Sequence, residues 1–378
     1  MSKIKGVSLF ANVGIAEALF KDIGVDIKLA NEIDEKRAQF YQEVYPDTEM
    51  ICGDITDDNL RNQIIEKAKK YKCNFVIATP PCQGMSVAGN RYEFDERNQL
   101  IYYAIDVIKK LKPDYVFLEN VPRQLQTKII ADGEKISIPD YIKKELSSEY
   151  NFNKETLVRA MDHGVPQMRE RNIFLLAKKD KNITWEFPAK KPIITLQEAI
   201  GSLPSLDPLL REGLDFTLEK FPDYEKKLKA AKKVSKWHYP PLHSWKQVEW
   251  MIHTPSGTTA FNNKVYYPQK ENGIRIVGHH NHYRRMAWTK PSRTITQNNG
   301  VISSLCCVHP GRPYKKNGET LYSDPRVLTI FELLIVSSLP LDWNIPAWAN
   351  ESFIRKVIGE GIPSNLAKEI MLELLKKI

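Results

Sequence analysis

The first 180 residues alternate between short, wholly apolar runs and longer segments with apolar residues at helical spacing. Residues 75–78 form one such run, which is followed by Pro80 and Pro81. Between residues 100 and 111 apolar side chains recur every three or four positions, which predicts a helix. The next apolar run, residues 115–118, predicts another strand. This alternation is typical of a parallel sheet with helices on both faces.

Earlier segments fit the same pattern. Residues 7–10 and 27–30 predict two more strands, and a further strand is expected just before Asp54. A helix is expected over residues 16–20. The polar residues after each strand then become the candidates for a binding site.

Residues 188–325 differ, because prolines are frequent and the apolar runs are short. A lysine-rich helix is expected over residues 225–236, and helical spacing returns over residues 328–339 and 366–375. A chain of 378 residues is long enough for two domains. The sequence therefore predicts an α/β fold with a mostly parallel sheet and a second, smaller domain of irregular structure.

Charge is unevenly distributed along the chain. The net charge is +9, yet residues 1–50 carry an excess of acidic residues. Residues 251–300 hold seven basic residues and one acidic residue, interleaved with aromatic side chains. Such a concentrated excess indicates a surface that contacts a polyanion, whereas a dispersed excess would favour solubility alone.

Several classes of protein are not expected. No apolar run reaches the roughly 20 residues of a membrane helix, and the amino-terminal segment does not resemble a signal peptide. Five cysteines in a chain of this length do not indicate a disulfide scaffold, and no Cys-x-x-Cys pair suggests zinc. We expect a protein of the reducing cytoplasm.

Polar side chains that follow parallel strands should gather along one edge of the sheet. They are Asn12 to Gly14, Glu32, Asp54, Cys82 and Glu119. Glu32, about 20 residues beyond the turn at Gly14, suits a carboxylate that binds ribose hydroxyls. Asp54 is a candidate acceptor for an adenine amino group. Together they indicate a cofactor that contains a nucleoside.

Each of these residues also has a simpler interpretation. Asp54 could be the N-cap of the next helix, Glu32 could be a solvated loop carboxylate, and Gly14 could serve only a tight turn. These alternatives stay open at the level of sequence.

Cys82 lies between a proline pair and Gln83-Gly84 at a strand end. This is a poor place for core packing and a suitable one for a reactive thiol. With Glu119 beside it, a thiolate suits covalent catalysis on an electron-poor ring. The other cysteines are expected to be buried structural thiols: Cys52, Cys73, Cys306 and Cys307.

Three motifs in order resemble those of the DNA (cytosine-5) methyltransferases. Residues 79–86 (TPPCQGMS), 118–121 (LENV) and 165–171 (VPQMRER) are similar to the Pro-Cys-Gln, Glu-Asn-Val and Gln-x-Arg-x-Arg motifs. Residues 291–296 resemble the segment leading out of the recognition domain, residues 326–332 with 339–340 the ninth motif, and residues 359–363 the tenth. The resemblance covers nearly the whole chain.

The resemblance implies a Rossmann-like methyltransferase fold that uses S-adenosyl-L-methionine. Cys82 would attack C6 of cytosine, Glu119 would hold or protonate N3, and Arg171 with Arg169 would bind the O2 side and orient Glu119. The simpler alternative for the two arginines is a surface ion pair with Glu170. The target base would be flipped out of the duplex, and residues 84–97 would close over it.

The resemblance also implies two sets of binding residues. The expected cofactor-binding residues are Phe10, Asn12, Val13, Gly14, Glu32, Ile33, Asp54, Ile55, Pro81, Leu100 and Glu360. The expected nucleic-acid-binding residues are Gln83, Ser86, Arg91, Arg97, Gln167, Arg275, Arg284, Arg285 and Arg293.

Two motifs depart from the family pattern. The first motif normally reads Asp-Leu-Phe-x-Gly-x-Gly-Gly, but the chain has SLFANVGI at residues 8–15. Asn12 tolerates the left-handed backbone and so can keep the turn, whereas Ile15 is expected to crowd the methionine part of the cofactor. In the tenth motif Glu360 replaces the usual Asn, which places a negative charge near a cationic sulfonium.

The domains follow from the resemblance. Residues 1–188, completed by 341–378, would form the catalytic and cofactor domain, and residues 189–340 the target-recognition domain. There Lys and Arg side chains would contact phosphates while a few side chains read base edges. No metal is expected, since His279 and its neighbours have only Glu271 as a carboxylate partner within residues 251–300.

The leading hypothesis is a DNA cytosine-5 methyltransferase of a bacterial restriction–modification system or a phage. We expect a monomer that acts on double-stranded DNA, in the cytoplasm at the nucleoid, with a cognate restriction endonuclease encoded nearby as a candidate partner. One rival is a tRNA cytosine-5 methyltransferase, although the Cys-Phe-Thr signature usual there is absent. Another is a catalytically weak protein that only binds nucleic acid.

Overall fold

A computed structural model describes residues 4–81, 96–270 and 272–378 of the chain, with the side chains of Glu96 and Arg97 left out. Four of the expected site residues lie outside the described residues: Cys82, Gln83, Ser86 and Arg91.

The strands are β1 (Ile4–Leu9), β2 (Val25–Glu32), β3 (Glu49–Cys52), β4 (Phe75–Ala78), β5 (Tyr115–Asn120), β6 (Lys128–Ala131), β7 (Glu134–Ser137), β8 (Tyr150–Phe152), β9 (Leu157–Arg159), β10 (Glu170–Lys178), β11 (Leu209–Leu210), β12 (Leu242–His243), β13 (Pro313–Lys316) and β14 (Glu319–Tyr322). The helices are α1 (Glu35–Val44), α2 (Asp58–Lys70), α3 (Leu100–Leu111), α4 (Ile138–Leu146), α5 (Leu196–Ile200), α6 (Leu214–Lys220), α7 (Tyr224–Val234), α8 (Trp245–Ile252), α9 (Ile330–Val336), α10 (Glu351–Glu360) and α11 (Ser364–Leu375).

A large central sheet has the strand order β3-β2-β1-β4-β5-β10-β8, with β9 also paired to β10. Strands β1 to β5 are parallel, whereas β10 runs antiparallel to β5, β8 and β9. Apolar side chains fill both faces of the central strands, because alternate residues of β1 enter two different cores. The predicted α/β fold with a mostly parallel sheet is confirmed.

Helices cover both faces of this sheet. One core holds residues of α2, α3 and α4 against the sheet. The opposite core holds α11, so the carboxy-terminal helix packs under the first strands. The amino-terminal half of the chain therefore needs the last residues of the chain to bury its sheet.

A third core joins the two ends of the chain to the middle. It contains Val13 and Phe40 together with Leu196, Leu333 and Val357. A fourth core lies wholly within residues 210–327 and packs around α8. Segments near 196 and 333, which we placed in the second domain, thus share a core with the first.

Element predictions hold best where the apolar pattern is strongest. The run at 75–78 is β4, and the helical spacing of 100–111 is α3. The lysine-rich helix is α7.

The prediction of a helix over residues 16–20 is wrong. That segment forms turns, with Phe20 N–H bonded to the Glu17 carbonyl at 2.9 Å rather than one residue further back. Its apolar residues pack against other elements, and packing overrode the local helical pattern. Within the described residues, the longest and most apolar helices still fall short of what crossing a membrane requires.

Candidate active site

The turn after β1 adopts a left-handed backbone at three positions. The φ angles are +56° at Phe10, +50° at Asn12 and +77° at Gly14. A Cβ on Gly14 would lie 2.2 Å from the Tyr45 ring, so only glycine fits there. Asn12 does keep the turn, because asparagine adopts this region more readily than most residues.

Tyr41 in α1 and Tyr45 directly after it support this turn through their hydroxyl groups. The Tyr45 hydroxyl donates to the Gly14 carbonyl at 2.6 Å, and the Tyr41 hydroxyl donates to Glu17 at 3.1 Å. Burial raises the pKa of Tyr41 and Tyr45, which keeps both hydroxyls protonated as donors. Burial also raises the pKa of Glu17. The turn of the first motif, which lacks its usual acid, is thus supported by buried, hydrogen-bonded side chains.

Glu32 connects the first two strand ends. One carboxylate oxygen accepts the Asn12 N–H at 2.8 Å, and the other accepts the N–H groups of Ile33 and Asp34 at 3.1 and 3.0 Å. The side chain is buried, so it is not the solvated loop carboxylate of the simpler interpretation. A carboxylate offers about four acceptor positions, which leaves capacity for a hydroxyl donor.

Glu119 and Arg171 form a buried ion pair. The Arg171 Nε lies 2.6 Å from a Glu119 carboxylate oxygen, and both side chains are about one-tenth exposed (8% and 11%). Glu119 pairs with Ile173 across β5 and β10, so Arg171, two residues earlier, is its diagonal neighbour on one face. The structure therefore brings together two of the predicted catalytic residues. Arg171 is not a surface partner of Glu170.

Asn120 fixes the backbone that leads to Cys82. Its amide donates to the Pro80 carbonyl at 3.0 Å, and its side-chain oxygen accepts the Val121 N–H at 2.8 Å. Thr79 likewise donates its hydroxyl to the Phe10 carbonyl at 3.0 Å. Sequence analysis assigned no role to either residue, although both lie inside quoted motifs. Pro81 follows this braced segment at the same edge.

Arg169 and Gln167 are placed differently from what we expected. Arg169 is buried and donates to the carbonyls of Ile295, Gly359 and Glu360 at 2.8, 3.1 and 2.8 Å. Gln167 is 1% exposed and donates to the Val336 carbonyl. The expected DNA contact of Gln167 is therefore wrong, because its amide holds strands and helices together, as Arg169 also does.

The two departures from the family pattern meet in space. Asn12 donates its side-chain amide to Glu360 at 3.1 Å, and Arg37 lies 2.9 Å from the same oxygen. Ile15 fills the space beside Gly361, where a Cβ would lie 2.6 Å from it. The expected crowding of the cofactor by Ile15 is wrong, since its side chain is buried in the third core.

The other expected cofactor residues fall into two groups. Val13 and Ile55 are buried in cores, so their side chains serve packing. Ile33 and Asp54 are exposed, and Leu100 is half-buried at the start of α3. Asp54 accepts the Thr56 N–H at 2.9 Å, whereas the N-cap of α2 is Asp57. The N-cap interpretation of Asp54 is therefore wrong.

The four arginines of residues 275–293 that we expected to bind nucleic acid differ in burial. Arg285 is fully buried and donates to the carbonyls of Met251 and His309, so its expected DNA contact is wrong. Arg275 and Arg293 are exposed, and Arg284 is half-buried. The Arg275 guanidinium stacks over Tyr267, 4.3 Å from the ring centre. Arg275 and Arg284 also donate to backbone carbonyls, of Phe261 and Gly257 respectively, but unlike Arg285 they keep exposed surface that a phosphate can reach.

The cysteines mostly behave as structural thiols. Burial raises the pKa of Cys73 and Cys307 to about 12, and Cys306 is also buried. Cys52 is exposed, so its expected burial is wrong. In the described part of the chain no group of three or more His, Cys, Asp or Glu side chains is placed to hold a metal ion.

S-adenosylmethionine fits the donors and acceptors of this edge. The Oδ1 atom of Asn12 is buried and has no hydrogen-bond partner among the described residues. Glu32 has acceptor capacity left, and Asp54 is exposed beside it on the neighbouring strand end. Acceptors of this kind match the amino and hydroxyl donors of such a cofactor.

The chain is similar to known proteins over nearly its whole length. The family model described as C-5 cytosine-specific DNA methylase matches residues 4–376. The chain is 41% identical to the Type II methyltransferase M1.HgaI of Avibacterium volantium, over 99% of both chains. It is 25% identical to M.NgoPII of Neisseria gonorrhoeae, over 99% of this chain and 96% of that protein.

Two solved structures share the fold over the whole chain. A prophage protein of E. coli described as a DNA modification methyltransferase matches with a TM-score of 0.67 and 21% identity, over 99% of both chains. A variant of DNMT2 from Spodoptera frugiperda matches with a TM-score of 0.60 and 17% identity, over 99% of this chain and 100% of that one. The chain therefore belongs to the C-5 cytosine-specific DNA methylase family and is a DNA cytosine-5 methyltransferase.

Proposed function

We propose that this enzyme methylates C5 of a cytosine flipped out of a specific duplex DNA sequence, with S-adenosylmethionine as donor. The observation that carries the proposal is the buried Glu119–Arg171 pair. It lies one residue from Asn120, which braces the segment before Cys82. The membership in a family of restriction–modification methyltransferases supports DNA as the substrate.

In this mechanism the Cys82 thiolate attacks C6 of the cytosine. Glu119 holds or protonates N3 as the ring accepts electrons, and Arg171 keeps the carboxyl group oriented. The bound cofactor supplies an electrophilic methyl group. The nucleophilic carbon C5 would take that methyl, with S-adenosylhomocysteine as the leaving group. A base would then remove the C5 proton, and Cys82 would leave as a thiolate while any proton on N3 returns to Glu119.

The cytosine must be flipped out of the duplex because the catalytic side chains could not otherwise reach its ring. Inside a duplex the faces of C6 are stacked, so neither Cys82 nor Glu119 can reach the ring. The second lobe, residues 189–340, would recognise the target through phosphate and base contacts. Its exposed guanidinium groups, Arg275 and Arg293, are the candidates left after Arg285 is excluded. Arg284 would add a contact from a half-buried position.

The test is methyl transfer from labelled S-adenosylmethionine to duplex DNA or tRNA. We expect transfer to DNA, none with Cys82→Ala, and a loss of about 10²-fold or more with Glu119→Gln. A duplex containing 5-fluorocytosine should form a covalent adduct through Cys82. Transfer to tRNA alone would contradict the DNA proposal, and transfer to neither would favour a protein that only binds nucleic acid.

A further inference from the structure

Two carboxylates hold Asn12 from opposite sides. Glu32 accepts its backbone N–H at 2.8 Å, and Glu360 accepts its side-chain amide at 3.1 Å. Glu360 is 348 residues away in sequence and lies at the end of α10. Its charge is balanced by Arg37, which lies 2.9 Å from the same oxygen.

This arrangement decides which way the Asn12 amide points. A carboxylate only accepts hydrogen bonds, so the NH₂ end of the amide must face Glu360. The Oδ1 end is thereby left on the other side. It is buried and has no partner within the described ranges 4–81, 96–270 and 272–378. An acceptor held in this way costs free energy until a donor arrives.

A bound molecule that carries hydrogen-bond donors would satisfy this acceptor. The cofactor named in the proposed function carries three kinds of donor: ribose hydroxyls, an adenine amino group and the α-ammonium of its methionine part. Glu32 and Asp54 on the neighbouring strand ends suit the first two. The α-ammonium is the donor that remains for an acceptor in the turn after β1.

We propose that Asn12 Oδ1 accepts a hydrogen bond from the α-ammonium of the bound cofactor, and that Glu360, balanced by Arg37, is the residue that positions this amide. The proposal rests on S-adenosylmethionine being the cofactor. It links the two departures from the family pattern: the asparagine supplies an acceptor that a glycine lacks, and the glutamate orients it.

Calorimetric titration with S-adenosylhomocysteine and with its analogue lacking the α-amino group tests this directly. Asn12→Gly should weaken S-adenosylhomocysteine about 10- to 100-fold, as expected for a hydrogen bond to a charged group. It should leave the affinity for the deaminated analogue within about twofold. Glycine adopts the φ of +50° without strain, so the turn itself should persist.

A matched control is Asn182→Gly. Asn182 has a φ of +53° and is exposed. It follows the end of β10 that pairs with the start of β5, at the opposite edge of the sheet from Glu119, so this change should alter neither affinity. Unfolding temperatures without ligand should be similar for both glycine variants. Equal weakening of the two ligands by Asn12→Gly would overturn the proposal.

The positioning role of Glu360 has its own readout. Glu360→Ala should weaken S-adenosylhomocysteine in the wild-type background and have little further effect in the Asn12→Gly background. Additive losses would mean that Glu360 acts directly on the ligand, which would contradict a role through Asn12. If the wild-type protein binds neither ligand, the cofactor assignment itself is wrong, which is a distinct result.

Discussion

At the scale of single residues, this edge of the sheet is organised by carboxylates and amides that bind backbone. Glu32 accepts three N–H groups, and Asn120 bridges Val121 and Pro80. Each bond fixes a segment that would otherwise be a free strand end. Positioned groups of this kind lower the cost of reaching a productive geometry. Glu119 and Arg171 are then oriented on a backbone that is already braced.

Asn120→Ala should slow catalysis because the backbone segment that positions Cys82 loses a hydrogen bond. The change leaves the buried Pro80 carbonyl without its donor, at a cost of about 1–3 kcal/mol in the free energy of unfolding. We expect a tenfold or greater loss in the rate of adduct formation with a 5-fluorocytosine duplex, since small displacements of reacting groups are costly. Rapid-quench gel analysis measures that rate.

Asn299→Ala is the matched control for this prediction. Asn299 is as buried as Asn120, and its amide donates to the carbonyls of Thr296 and Arg355. It should lose comparable stability in urea unfolding while forming the adduct at the wild-type rate on saturating DNA. Equal rates for the two variants would show that the Pro80 contact does not position Cys82.

At the scale of elements, α10 is held tightly against residues 295–297. A Cβ on Gly359 would lie 2.2 Å from the Thr296 carbonyl oxygen, so the helix backbone approaches the chain directly. Arg169 bonds both sides of this contact, through Ile295 and Gly359. These contacts hold α10, residues 295–297 and the start of β10 together.

Gly359→Ala should push α10 away from the backbone of Thr296. Because the obstacle is backbone, no side-chain rotation can relieve it, and we expect a loss of about 1–3 kcal/mol in the free energy of unfolding. Gly300→Ala is the control, since its Cβ would meet only side-chain atoms of Arg355, the nearest at 3.1 Å, and no backbone. Urea denaturation measures both. A Gly359→Ala variant as stable as the control would contradict the close approach.

At the scale of the whole molecule, a cluster of buried charges holds together segments that are distant in sequence within residues 189–340. Arg326 is fully buried between Asp324 at 3.0 Å and Glu332 at 2.8 Å. Burial raises the pKa of Glu332, but the charges of Arg326 and His309 and its hydrogen bonds outweigh this and lower it to about 2. His243 lies in the same region and accepts the Val327 N–H at 3.2 Å.

Stability should fall as the pH drops below about 6.5. Burial, then the charges of Arg355 and other arginines, lowers the pKa of His243 to about 3. Between pH 6.5 and 3 the His243 imidazole is protonated in the unfolded chain but stays neutral in the folded chain. The free energy of unfolding therefore decreases as the pH falls. His243→Gln should reduce the slope by up to about 1.4 kcal/mol per pH unit between pH 5 and 6.5.

Urea unfolding at several pH values measures this slope. The exposed His280 supplies the control, since His280→Gln removes a histidine without disturbing a buried site. A wild-type slope unchanged by His243→Gln would show that His243 is not held neutral by the fold. Below pH 4.5 Glu332 and Asp324 add to this loss, because their lowered pKa values make stability fall further as they become protonated.

Binding to DNA should depend steeply on salt, because the second lobe exposes concentrated positive charge. Arg275→Ala should weaken binding to all duplexes and lower the slope of log affinity against log salt by about 1. Fluorescence anisotropy at several salt concentrations measures it. Asn262→Ala, an uncharged change in the same surface region, should leave the slope unaltered. An unchanged slope for Arg275→Ala would remove Arg275 from the phosphate contacts.

The apolar pattern of the sequence predicted the parallel strands and α3 correctly, and the motifs, through their resemblance to a family, implied that Arg171 orients Glu119. Local apolar patterns set the strands, and strand ends at one edge bring their polar residues together whatever the packing elsewhere. Only the tertiary structure decided that Arg285 and Gln167 are buried, that residues 16–20 form turns, and that Asn12 meets Glu360. Those outcomes depend on contacts between segments up to 348 residues apart, which no local pattern encodes.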